Sequence, residues 1–144
     1  MSTAQTSVKS SGFVKPSIGK IARAGLTAGL IAAVINTLVW FIGNAIDTLS
    51  IPLPMTPISS LIGVAAGGVL YAILSRFTSH ANTIFIVIAV IFLILQIFPP
   101  IGAMSTPVMP GFPLFNLATV VAAEIMHLVA GVLAIVFYTR TSAA

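Results

Sequence analysis

The sequence predicts an all-α membrane protein, a four-transmembrane-helix bundle built from two antiparallel hairpins with both termini in the cytoplasm. Three observations carry this. First, of 144 residues 58% are hydrophobic and only 6% are charged, against roughly a quarter charged in soluble domains. A water-soluble domain of this size leaves about a third of its unfolded-chain surface in water, so too much apolar surface would remain wet, and lipid is the solvent that fits. Second, four long apolar runs alternate with short polar or proline-rich segments, the last of about 25 residues being long enough to cross a hydrocarbon core of about 30 Å. Third, the six basic residues fall on one side of that arrangement: Lys9, Lys15, Lys20 and Arg23 before the first run, Arg76 between the second and third, and Arg140 after the fourth. The positive-inside rule assigns that side to the cytoplasm, for a multi-pass protein of the inner (plasma) membrane.

Composition also excludes functions. The net charge of +4 is scattered along the chain and makes no basic stripe for nucleic acid. Without a single cysteine, disulfides, thiolate nucleophiles and cysteine-ligated metal or iron–sulfur sites are ruled out.

Residues 1–16 are rich in Ser, Thr, Gln and Lys and are expected to form a disordered cytoplasmic tail with no core to join. The apolar run that follows Lys20 and Arg23 exceeds the usual length of a signal-peptide core and lacks a small-x-small cleavage site, so it is expected to stay as a helix. A single four-helix domain is predicted over residues 17–140. The first helix spans 18–46, with Ser17 as cap and Lys20 and Arg23 reaching to the interface. Gly25 and Gly29, continued by Ala33, form a small-residue row that lets helix backbones approach closely. Asn36, Trp40 and Asn44 follow at fourfold spacing on another face, with Asp47 near the exit.

Three prolines in Asp47–Pro57 mark an extracytoplasmic loop, after which Thr56 is expected to cap a second helix over 57–74. Ser59, Gly63, Gly67 and Tyr71 recur every fourth residue there, and this smooth face is expected to pack on the Gly25/Gly29 row. A polar turn at 76–82 leads to a third helix over 83–98, apolar all round except Gln96 and so expected to have the greatest lipid exposure. Pro99 and Pro100 are expected to end it. The loop 99–113 holds five prolines and no charge, and its Met104, Met109 and Phe112 are expected at the interface. The fourth helix is placed at 114–138, and residues 141–144 form a short cytoplasmic tail.

The length, the basic N-terminal segment, the four hydrophobic runs, the proline-interrupted first outer loop and the Met126-His127-Leu128 triplet together resemble a bacterial family of small four-helix integral membrane proteins of unknown function. The resemblance covers roughly residues 20–140. It implies a four-helix fold and no known catalytic or binding residues.

Chemistry concentrates in the fourth helix, where Glu124 and His127 lie one turn apart midway along the span. A carboxylate alone in hydrocarbon is costly. Glu124 is therefore expected to face the bundle interior, hydrogen-bonded to Asn36 of the first helix or to His127. Glu-x-x-His is the spacing used in di-metal carboxylate bundles, but Asp47 is the only other acid in the chain and lies at a helix end, so no metal site is expected. Ligation of haem or chlorin by His127, with Gly131 one turn below leaving room for a ring, is the alternative to an absence of cofactors. Serines are present without a nucleophile motif, and no phosphate-binding glycine loop occurs, so no catalytic residue and no enzyme is expected. Two readings follow: a structural or accessory subunit that meets lipid and other membrane subunits or its own copies, and an oligomeric proton-linked transporter or channel using Glu124, His127 and Asn36.

Overall fold

A computed structural model describes residues 13–142, which form α1 (Ile18–Ile46), α2 (Met55–Phe77), α3 (Ala81–Leu95), α4 (Phe98–Gly102) and α5 (Leu117–Arg140). There is no strand among the described residues. Four segments are long and apolar enough to cross a membrane: α1, α2, α5, and α3 with α4 as one stretch from Ala81 to Gly102. The chain is thus a multi-pass membrane protein with a four-helix architecture.

Local chemistry sets the helix ends. Ser17 Oγ accepts a hydrogen bond from Lys20 N at 3.3 Å and opens α1. Thr56 does not cap α2, contrary to expectation. The helix starts two residues before Pro57 because Met55 N and Thr56 N already bond to the carbonyls of Pro52 and Leu53, so a turn runs straight into it. Pro99 and Pro100 do not end the third span either. Gln96 and Ile97 stay in right-handed helical geometry, and the prolines stand in the first turn of α4, where a missing N–H leaves no intrahelical bond unmade. The last helix begins at Leu117 rather than at 114, since Asn116 Oδ1 accepts from Thr119 N at 2.8 Å and is the cap.

α1 packs most extensively against α2 and α5, α3 packs on α2 and α5, and α4 lies on α5. The main core joins Ile21, Ala28, Ala32, Val64, Tyr71, Phe85, Ala134 and Tyr138. The third span contributes least: 11% of its most apolar stretch is buried, against 28% for each of the others. The expected N-terminal tail lies outside the described residues for residues 1–12, as residues 143–144 do at the other end. Within residues 13–16 the expectation fails, because Phe13 packs against the core, Pro16 is buried and Lys15 Nζ donates to the Arg76 carbonyl at 3.2 Å.

The glycine row of α2 is rotated from its expected placement. The buried positions of α2 are Thr56, Ser60, Val64, Gly68, Tyr71 and Ser75, one residue round from the row containing Gly63, a turn of about 100°. A Cβ on Gly63 would meet nothing within 4 Å, so this glycine packs against no helix among the described residues. Gly29 faces Leu61 and Val64 of α2, Gly67 faces Tyr138, Phe85 and Ala134, and Gly25 and Gly68 both face Tyr138 of α5. The residue seated between Gly25 of α1 and Gly68 of α2 is therefore a tyrosine from a third helix.

Candidate functional site

The polar residues at the far end of α1 fasten the following loop. Trp40 Nε1 donates to the Ile51 carbonyl at 2.7 Å, Asn44 Oδ1 accepts from Leu49 N, and Asp47 Oδ2 accepts from Asn116 Nδ2 at 3.0 Å. Thr119 Oγ1 accepts from Ser50 N at 2.9 Å, so the 47–54 connection is tied to the start of α5. Deeper, Asn36 is 2% exposed and bridges three helices. Its Nδ2 donates to Ser60 Oγ of α2 at 2.9 Å and to the Met126 carbonyl of α5 at 3.2 Å, while Ser60 Oγ donates to the Thr56 carbonyl at 2.8 Å.

Both amide hydrogens of Asn36 are thereby used, and neither reaches Glu124. No hydrogen bond joins Glu124 to His127: Glu124 Oε1, His127 Nδ1 and Asn36 Oδ1 are buried and have no partner among the described residues. The expected clasp is not formed. Its failure is geometric, since α5 presents Ala122 and Met126 to the Leu49 cluster beside α1, whereas Glu124, His127 and Gly131 share a different stripe at i, i+3 and i+7. That second stripe borders α3, as a Cβ on Gly131 would lie 2.7 Å from Leu93 Cδ2. The space beside Gly131 that would admit a haem or chlorin ring is thus filled by Leu93.

Glu124 and His127 are half-buried, with Val121, Ile125, Leu128 and Val132 exposed beside them. Across the seam, Leu93, Gln96, Pro100 and Ala103 are half-buried or buried at i, i+3, i+7 and i+10. Gln96 is the one polar residue of that stripe. Glu124 and His127 accordingly lie at an edge of the bundle, between α5 and the third span, and not on its axis with Asn36.

A further polar cluster was not anticipated from the sequence. Tyr71 Oη donates to Asn82 Oδ1 at 2.6 Å, Ser142 Oγ lies 3.1 Å from Tyr71 Oη and 3.0 Å from Asn82 Oδ1, and Asn82 Nδ2 donates to the Thr139 carbonyl at 3.3 Å. It joins the ends of α2 and α5 to the first turn of α3. Its signal was Tyr71, near the basic end of its helix, with the polar Asn82 opening the next helix. The Asn36 bridge joins three helices through two bonds, and Asn36→Ala is expected to lower stability by about 1 kcal/mol, interhelical bonds in membranes averaging about 0.6 kcal/mol each. Thermal unfolding in detergent reads it; an unchanged midpoint would show that the bridge holds nothing.

The chain belongs to a family of unknown function, DUF6069, whose family model matches residues 16–144. Comparison with curated proteins found no match, and comparison with solved structures found none.

Proposed function

We propose that this protein is a non-enzymatic structural or accessory subunit of a membrane complex in the inner (plasma) membrane, with both termini cytoplasmic. In this reading α1 pairs with α2, and the third span with α5, as two antiparallel hairpins. The observation that carries it is the edge position of Glu124 and His127. A half-buried carboxylate and imidazole left without hydrogen bonds are costly in an apolar setting, and the apolar residues around them are open to a neighbour. Another membrane subunit, or a second copy, packs on that face and meets the outward atoms of these two half-buried side chains.

The absence of native cysteine makes a thiol at Leu128 unique, so Leu128→Cys tests the face directly. Leu128→Cys is expected to cross-link to one defined product in native membranes. Ile62→Cys, on the outer face of α2 where the side chain is 64% exposed, is not. Recovery of both variants solely as uncross-linked chain counts against a partner on this face. The orientation is tested by reporter fusions after Ala144 and within the 47–57 loop, which are expected to report opposite sides; the same side for both contradicts the topology.

The unpartnered Glu124 Oε1 and His127 Nδ1 also favour a second reading, a proton-exchanging site of an oligomeric transporter or channel. Glu124→Gln separates the two, because it keeps hydrogen bonding and removes the proton. The accessory reading predicts that Glu124→Gln retains the complex and Glu124→Leu dissolves it. Loss of a pH-dependent ion flux in Glu124→Gln, with assembly intact, would select the transporter.

A further inference from the structure

A groove of about 430 Å³ runs between α1 and α2, within the range of about 300–1,000 Å³ usual for ligand clefts. Ala22 and Leu26 of α1 and Ala65 and Ala72 of α2 line its sides, and Tyr138 lies at its base. The Tyr138 hydroxyl is already committed to the Val64 carbonyl at 2.7 Å, so the groove offers an occupant a mainly apolar surface. Its small residues hold the two helices' side chains apart, and Ala22, Leu26 and Ala65 remain exposed.

The end of the groove is charged. Arg76 follows Gly68 and Ala72 on one stripe, a turn or about 6 Å beyond the last lining residue. Helical side chains lean toward the helix N-terminus, which for Arg76 is back toward the groove. Lys15 precedes Ile18, the first lining residue of α1, and its Nζ donates to the Arg76 carbonyl at 3.2 Å. Both cations are exposed. The chain's two acids are elsewhere, Asp47 at the opposite end of α1 and Glu124 some four turns from Tyr138 along α5.

We propose that this groove binds an anionic phospholipid, one acyl chain lying over Tyr138 and the phosphate headgroup between Lys15 and Arg76. An apolar slot ending in two cations at the headgroup level matches a lipid of that charge. A second copy fits less well, since a two-fold contact through this face brings the same cations together. The inference rests on the membrane placement proposed above.

The test is native mass spectrometry of the full chain in mild detergent, titrated with phosphatidylglycerol or with phosphatidylcholine of the same acyl chains. One retained phosphatidylglycerol per chain is expected, preferred by about tenfold or more. Lys15→Gln with Arg76→Gln should bring the two lipids level, and Ala22→Leu with Ala65→Leu, which fills the slot from its exposed walls, should weaken both. Equal retention of the two lipids by the unaltered chain, a preference that survives loss of both cations, or a dimer that excludes lipid would overturn the proposal. Should the filled variant fail to fold, the charge pair decides alone. The same spectra show any co-purifying subunits, so a failed lipid site is distinguished from a failed accessory role.

Discussion

Tyr138→Ala is expected to lose about 3 kcal/mol or more of stability, the scale of deleting a fully packed aromatic. Tyr138 is 1% exposed and stacks on Tyr71 at 5.8 Å between centroids, with Phe85 edge-on to both rings. Removal opens a cavity where α1, α2, α3 and α5 meet. Lipid weakens the hydrophobic share of the cost, but lost van der Waals contact counts fully among membrane helices. Tyr138→Phe is expected to cost only about 1 kcal/mol, because it keeps the ring and loses the bond to Val64. Thermal unfolding in detergent should separate the two variants clearly. Equal, small shifts for both would show that the aromatic cluster is not the centre of the fold.

Gly68→Leu carries the second largest expected effect. The hydroxyl of Tyr138 reaches the carbonyl of Val64, and in a helix that carbonyl is covered by the side chain four residues on. At that position stands Gly68, where even a Cβ would lie 2.5 Å from Tyr138 Oη and 2.9 Å from Cζ. A leucine must expel the tyrosine or separate the helices, and overpacking of this kind costs typically about 1–3 kcal/mol or more. Gly63→Leu, into open space, is the control and should leave the unfolding midpoint within about 1 °C to 2 °C, as befits a surface change. If the two variants behave alike, the seat of Tyr138 on α2 has been misplaced.

These variants mark where sequence reading reaches its limit. The helices were legible because apolar runs of spanning length and proline-rich breaks leave few alternatives, and the span of α1 needed no revision. Facing was less legible. A rotation of one residue in α2 moves Gly63 from interface to exterior and brings Gly68 in, and a uniformly apolar helix carries little amphipathic pattern to set that rotation. Asn36 was recognisable as a costly buried residue. Its partners were not, because a side-chain oxygen such as that of Ser60 and a backbone carbonyl such as that of Met126 leave no distinctive residue pattern. Glu124 and His127 stood out for the same reason as Asn36, but only the packing of Leu93 on Gly131 reveals that they face the third span.

The edge position of Glu124 and His127 makes the central claim one about association, and mass in mild detergent tests it most directly. Extraction from native membranes followed by native mass measurement is expected to give a complex of fixed stoichiometry containing this chain and other membrane subunits or further copies. Glu124→Leu should release it, and Glu124→Gln should not. A 144-residue chain recovered as a stable monomer, carrying at most lipid and unchanged by either substitution, would contradict the accessory role.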